Sequence, residues 1–456
     1  MNSFECPFSF YARHCPDAIA LRGSDQTWTY QQCHAWINGL VNRLRETGIT
    51  AGDCIAFVPT TAFPTPLFFF SLFRLGAIAF PLNGYLPKEG IKRQLDAVCP
   101  TLFLCEEGSF CSELKLKTLA STTLFHSVKP TPHALQPFLI KQQIATYLTT
   151  SGTTKMPKIA ALSLGNHYYS ALGSNGTLPS LHEEGRWLLS LPLYHVAGIA
   201  ILFRTFLAGA TLVLPSSSPL DPSSCAREKV SHLSLVPTQL YRLLDSPESV
   251  VAPLVKQLRC LLLGGDTISA ELYHRASAQG FPLYPTYGMT EMGSQVTTAT
   301  DRAVTFFSLG HPLPYRECKM NAEGEICVRG KTLFQGYLNE RKELDLPLDS
   351  EGYFATHDLG SYSLQKGLHV LGRKDRLFMS GGENIHPEEI ERSLLSIQGI
   401  IDVRVAPVQD KEFGMRPIAY VNSTTPLEPK LLQERLAAEL PRYKIPIDFL
   451  PMSQKM

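Results

Sequence analysis

The sequence predicts an α/β protein: a large N-terminal domain of doubly wound, mostly parallel sheets with helices, and a small α+β C-terminal domain on a hinge. Three observations carry this expectation. Short continuous apolar runs ending in Gly or Pro, such as ATLVLP (210–215), LSLVP (233–237) and LRCLLLGG (258–265), suit strands covered on both faces. Strand-like and helical patterns alternate, which is the rhythm of parallel sheets flanked by helices. The chain has 456 residues, more than one hydrophobic core accommodates.

The elements follow in order. Thr29 with Gln32 forms a capping-box pattern, and Cys33, Trp36, Ile37, Leu40, Val41 and Leu44 recur at helical spacing until Gly48 supplies a stop. CIAFV (54–58), the apolar segment around Phe69 and AIAFPL (77–82) read as strand, buried helix and strand. RWLLSLPL (186–193), ATLVLP, LSLVP and LRCLLLGG continue the series. From about Arg376 the rhythm changes. Pro387 opens a helix towards Leu395, with Glu388 and Glu389 in its first turn. Strands IDVRVAPV (401–408) and RPIAYVN (416–422) and a helix over 429–440 complete a small module. The charged GRKD segment marks the boundary, giving domains 1–372 and 376–456 with the hinge at 373–375.

Composition narrows the function classes. There are 42 basic and 41 acidic residues, a net charge of +1 that offers nothing to nucleic acid or an anionic membrane. Eleven cysteines are scattered without C-x-x-C spacing, which points to reduced thiols rather than a disulfide framework or zinc site. The N-terminus lacks a basic leader followed by an apolar stretch, and the apolar segment 67–73 is too short to span a bilayer. A cytoplasmic protein without an integral membrane segment is expected. Oligomeric state leaves no mark on the sequence.

YLTTSGTTKMPK (147–158) concentrates hydroxyls, a glycine and a lysine where a polyanion would reward them. Thr150, Ser151, Gly152, Thr153 and Thr154 offer hydroxyl and backbone N–H donors, and Lys158 offers a mobile positive charge. Taken alone, the segment also fits an ordinary Ser/Thr-rich turn. It differs from the usual nucleotide-triphosphatase loop, because Pro157 and Ile159 flank Lys158 where a glycine and a magnesium-binding hydroxyl would stand. A metal ligand must therefore lie elsewhere, and YGMTE (287–291) supplies a carboxylate. With GYFATHDLG (352–360) and LGRKDRLFMSGGENIHPEEIE (371–391), these segments resemble the ordered signature set of the acyl-adenylate-forming superfamily.

That resemblance implies ATP, Mg2+ and coenzyme A as ligands, and an acid activated as its acyl-AMP. It implies that Ser151 to Thr154 and Lys158 clamp the β and γ phosphates, that Thr290 contacts the α-phosphate and that Glu291 holds magnesium. Gly264, Gly265, Asp266, Tyr287, Gly288 and Met289 would enclose the base, while Asp358 would accept the ribose hydroxyls beside Arg373. Asp375 matches the hinge, and Gly381 and Gly382 would line the coenzyme A path after rotation of the small domain. His195 in LPLYHVAG would lie by the acyl pocket and the thiol's approach. As a lone histidine beside apolar residues it more readily fits a core role.

Within the superfamily, the phrases WLLSLPLYHVAG, LSLVPTQLYRLL, YGMTEMGSQ, GHPLPYRE and VQDKEFGMRP are most similar to the 2-succinylbenzoate–CoA ligase branch of menaquinone biosynthesis. Ser294 and Gln295 are then candidate contacts for a second carboxylate or a keto group. Three departures stand out. Lys155 and His357 replace glycines common in the family, and the expected C-terminal Gly-Lys pair is not found, leaving Lys455 in LPMSQKM as its candidate substitute. Two alternatives follow: a ligase for another aromatic or fatty acid, or a C-terminally truncated, catalytically weak nucleotide-binding homologue. A serine hydrolase is excluded, since no G-x-S-x-G elbow occurs.

Overall fold

The computed structural model describes residues 2–24, 26–105, 116–132, 137–150, 158–182, 184–216, 220–300, 308–424, 426 and 428–452. The apolar runs become the interiors of two large sheets. In an eight-stranded sheet, Ile144–Thr150, Ile78–Pro81, Cys54–Phe57, Leu102–Cys105 and Thr118–Ala120 lie parallel. Lys158–Ser163, Gly336–Leu338 and Leu344–Asp345 extend its other side antiparallel. In a nine-stranded sheet, Leu283–Met289, Cys260–Leu263, His232–Leu235, Arg186–Leu188, Thr211–Val213 and Ile19–Arg22 run parallel. Its borders, Ser294–Thr298 with His311–Pro312 at one end and Thr27–Thr29 at the other, are antiparallel. The mixed sheets with their helices are the α/β fold that the sequence predicts.

Helix Tyr30–Glu46 starts at Thr29, whose hydroxyl accepts from the Gln32 N–H while the Gln32 side chain accepts from the Thr29 N–H, the capping box read from sequence. Helix Thr65–Leu75 is buried along its whole length because Phe68, Phe69, Phe70 and Phe73 project into the main core. One expected strand is shorter than its pattern. Of RWLLSLPL only Arg186–Leu188 is strand; the chain then turns, with the Ser190 hydroxyl donating to Ser234 O and a Cβ on Gly198 falling 2.2 Å from Pro192 O. An apolar run reports burial, and a buried turn is as apolar as a buried strand.

The sequence reading assigns no strands between 311 and 373. The structure forms a four-stranded antiparallel sheet there from Arg316–Met320, Glu325–Gly330, Phe354–Ser363 and Gly367–Arg373. Beyond it, helix Pro387–Leu395 and helix Pro429–Ala437 pack on a sheet of Ile400–Asp410, Gly414–Ser423 and Phe449–Pro451. Ile390, Leu394, Val405, Val421, Leu436 and Phe449 form a separate core for this segment. Arg376 ties its helix to its sheet by donating to Glu388, Glu391 and Val405 O.

Candidate nucleotide site

Strands Ile144–Thr150 and Lys158–Ser163 pair antiparallel with Thr150 opposite Lys158, so the hydroxyl-rich segment connects adjacent strand ends. Ser151, Gly152, Thr153 and Thr154, with Lys155, lie outside the described residues, as does Lys455. The Lys158 ammonium stands 4.9 Å from the centre of the Tyr337 ring. Tyr337 is delivered by strand pairing opposite Ala160, and its hydroxyl donates to Glu291 Oε1 at 2.5 Å. Burial and the neighbouring carboxylate push the Tyr337 phenol well above its ordinary value, so it remains a donor.

Glu291 sits in a single helical turn, Thr290–Met292, at the end of strand Leu283–Met289, and Gly293 closes the turn at φ 61°. Its residue is 7% exposed, and among the described residues no cation pairs with it. A buried carboxylate without a counter-ion is costly, and a hard divalent cation is the partner that relieves it. Among the described residues no three His, Cys, Asp or Glu side chains cluster as a metal cage. A single carboxylate such as Glu291 is the kind of hard oxygen donor that would hold a magnesium ion together with phosphate oxygens.

Four residues before Glu291, the Tyr287 hydroxyl donates to Asp358 Oδ2 at 2.5 Å. Asp358 faces Arg373 across the strand pair, and Arg373 Nη1 donates to its Oδ1 at 3.3 Å. Burial raises the Asp358 carboxyl above its ordinary value, against the pull of Tyr287 and Arg373. Arg373 also donates to both oxygens of Asp375, each at 3.1 Å, so one guanidinium joins the candidate ribose acid to the candidate hinge residue. His357 lies at φ 62°, a left-handed conformation natural to glycine and strained for histidine. That is a physical reason for glycine to be common at this place in the family.

Gly264 and Gly288 are required by the sheet itself: a Cβ would fall 2.6 Å from Thr286 O at Gly264 and 2.1 Å from Ser294 O at Gly288. Met289 ends the strand that holds Gly288, and Gly265, just past strand Cys260–Leu263, lies at φ 86°. Asp266 accepts from the Thr267 N–H and lines a cleft of about 720 Å3 towards the C-terminal sheet, shared with Tyr241, Asp402 and Arg404. Gly381 and Gly382 form the tight turn between Phe378–Ser380 and Glu383–Ile385, at φ 57° and 84°.

His195 caps the start of helix Val196–Leu207 and is exposed, yet the protein around it displaces enough water to lower its pKa and favour the neutral ring. Ser294 takes the unusual φ of 107°, and its hydroxyl accepts from Arg204 Nη2 at 3.3 Å. The Gln295 side chain is 1% exposed, accepting from the Ser174 hydroxyl at 2.5 Å and donating to the Thr298 hydroxyl at 2.7 Å. Sequence reasoning missed Tyr337 and Arg204. Arg204 is 1% exposed inside an apolar helix, its guanidinium is 5.4 Å from the Trp187 ring centre, and among the described residues its Nε has no hydrogen-bond partner. Burial lowers its pKa to about 10, still charged at neutral pH. The signal was available: one arginine within VAGIAILFRTFL is a charge that needs a reason.

A family model described as AMP-binding enzyme matches residues 8–338. The 2-succinylbenzoate–CoA ligase of Salmonella typhimurium (strain LT2) is 32% identical over 456 residues, covering 100% of this chain and 95% of that one. Its counterpart in Bacillus pumilus is 31% identical over 449 residues, covering 95% and 91%. Among solved structures, o-succinylbenzoate coenzyme A synthetase from Bacillus subtilis with the acyl-adenylate intermediate OSB-AMP gives a TM-score of 0.90 at 29% identity, covering 100% and 96%. The same enzyme with ATP and magnesium ion gives 0.88 at 29% identity, covering 100% and 98%.

Proposed function

Since the chain belongs to the AMP-binding enzyme family, we infer that its site joins 2-succinylbenzoate to coenzyme A at the expense of ATP. It is an AMP-forming acid–CoA ligase of menaquinone biosynthesis. A carboxylate oxygen of the acid attacks the α-phosphorus and pyrophosphate leaves. The coenzyme A thiol then attacks the acyl carbon of the adenylate, losing its proton, and AMP leaves.

The observation that carries this reading is a pair of acids, buried Glu291 and half-buried Asp358, each held by a tyrosine hydroxyl beside a basic residue. In this reading Lys158 and the segment 150–154 neutralise the triphosphate, Thr290 orients the α-phosphate and Asp358 accepts the ribose hydroxyls. Magnesium, when bound at Glu291, draws negative charge from the phosphates. Tyr337 and Tyr287 keep the two carboxylates oriented, so little reorganisation is needed during reaction. The glycine-lined edge formed by Gly264, Gly265, Gly288 and Met289 would receive the base.

2-Succinylbenzoate carries two carboxylates, and only one is activated. The other requires a cation, and Arg204 behind Ser294 supplies it: the Ser294 hydroxyl accepts from Arg204 and can donate its own proton onward. The same proposal divides the chain at 373–375 into a body and a mobile small domain, with Asp375 as pivot and Gly381 and Gly382 carried towards the thiol path. It places the enzyme in the cytoplasm. The test is acid-dependent exchange of pyrophosphate into ATP with 2-succinylbenzoate, benzoate and a medium-chain fatty acid. A strong preference for 2-succinylbenzoate is expected; an equal or better response to either other acid removes the substrate assignment.

A further inference from the structure

Arg316 belongs to none of the segments that carry the family resemblance to nucleotide binding, yet the molecule is built around it. It opens strand Arg316–Met320 and turns inward, leaving the residue 5% exposed. Its Nε donates to Pro314 O at 3.2 Å, its Nη2 to Ser170 O at 3.2 Å, and its Nη1 closely to Gln295 O. Helix Leu164–Asn175 makes room with a glycine, for a Cβ on Gly173 would stand 2.7 Å from Arg316 Nη2. All three partners are neutral carbonyls. They accept from each of its three nitrogens without cancelling the charge, and no ion pair among the described residues does so.

Arg204 and Arg316 bond to adjacent residues, so two buried cations flank the dipeptide Ser294–Gln295. Arg204 holds the Ser294 hydroxyl and Arg316 holds the Gln295 carbonyl, on either side of the left-handed Ser294 backbone. A strained φ persists only where its surroundings over-determine it, and these two grips do so. Two uncompensated buried charges of one sign disfavour the empty site and favour one holding an anion. We infer that Arg316 is a positioning and specificity-determining residue for the unreacted carboxylate of a diacid substrate, fixing the Ser294–Gln295 backbone and adding to the positive field there. The inference rests on the assignment of 2-succinylbenzoate above.

The experiment compares the full-length wild type with Arg316→Met and Arg316→Lys. Substrates are 2-succinylbenzoate and its two monoacid analogues, each lacking one carboxylate. Methionine has similar bulk, and replacing a buried charge by an apolar residue is often neutral for folding. Wild type is expected to show a lower KM for the diacid than for whichever monoacid reacts. R316M is expected to raise the diacid KM about tenfold while leaving the monoacid KM and both kcat values within about threefold. R316K retains the charge and is expected to keep the diacid preference within about threefold of wild type. An unchanged diacid-to-monoacid ratio in R316M overturns the inference and leaves the substrate assignment standing. Loss of the preference in R316K, charge intact, also overturns it, and R316K carries the test if R316M does not fold. No preference in wild type overturns the substrate assignment itself, and this inference with it.

Discussion

Replacing Glu291 by Gln separates its chemical role from any structural one. The side chain keeps its shape, and its amide oxygen can still accept from the Tyr337 hydroxyl, now at 2.5 Å from Oε1. The turn is held independently, by the Phe334 N–H donating to Glu291 O at 2.7 Å and by Gly293 at φ 61°. What disappears is a negative charge in a residue only 7% exposed that forms no ion pair among the described residues. Removing a buried unpaired charge does not weaken the fold, and stability is expected within about 1 kcal/mol of wild type or slightly above it. Losing a charge that orients the metal and phosphates costs ~3 kcal/mol of transition-state stabilisation, or ~100-fold in rate. The assay is acid-dependent pyrophosphate exchange over a magnesium series, with calorimetry on the same samples. The expected result is a rate ~100-fold down, with a raised magnesium requirement, at unchanged Tm. A rate within about threefold of wild type, or a loss matched by unfolding, refutes the role given to Glu291.

Asp358→Asn should weaken nucleotide binding by ~10-fold or more, read by ATP titration, since an amide accepts ribose hydroxyls less strongly than a carboxylate. Its stability effect has the opposite sign. A carboxyl whose folded pKa is raised favours the folded state at low pH and loses that contribution as pH rises through the raised value, so the variant's Tm should exceed wild type at pH 7 and approach it as pH falls. His195→Ala should impair thioester formation or acyl binding, and unchanged kinetics in both half-reactions would remove His195 from the site. His357→Val should lower stability by ~1–2 kcal/mol in chemical denaturation, because a β-branched residue at φ 62° is strained; a neutral result would contradict that backbone geometry.

Much of the framework was legible because it depends on local pattern. The Thr29 capping box and the parallel strands Cys54–Phe57 and Cys260–Leu263 follow from caps and apolar runs that act over a few residues. The strand assigned to 186–193 was too long because apolarity measures burial, and the chain turns after Leu188 while Leu189, Ser190, Leu191 and Leu193 remain buried. The four-stranded sheet from 316 to 373 escaped because its strands mix apolar and charged residues, as in RECKM and FATHDLGSYS. Tyr337 was invisible for another reason. Its partner Glu291 lies 46 residues away, and only the pairing of strand Gly336–Leu338 with Lys158–Ser163 brings them together. Arg204 was signalled by its apolar helix and Arg316 lay within GHPLPYRE, but which groups each guanidinium grips depends on distant residues such as Ser294 and Ser170, which a linear sequence does not state.

The central claim is that Lys158, Glu291 and Asp358 serve one ATP. A crystal structure with ATP and magnesium tests it most directly. The account predicts the triphosphate and metal at Lys158 and Glu291, with the ribose hydroxyls of that same nucleotide on Asp358. A nucleotide bound in the site that leaves either acid without contact would contradict it.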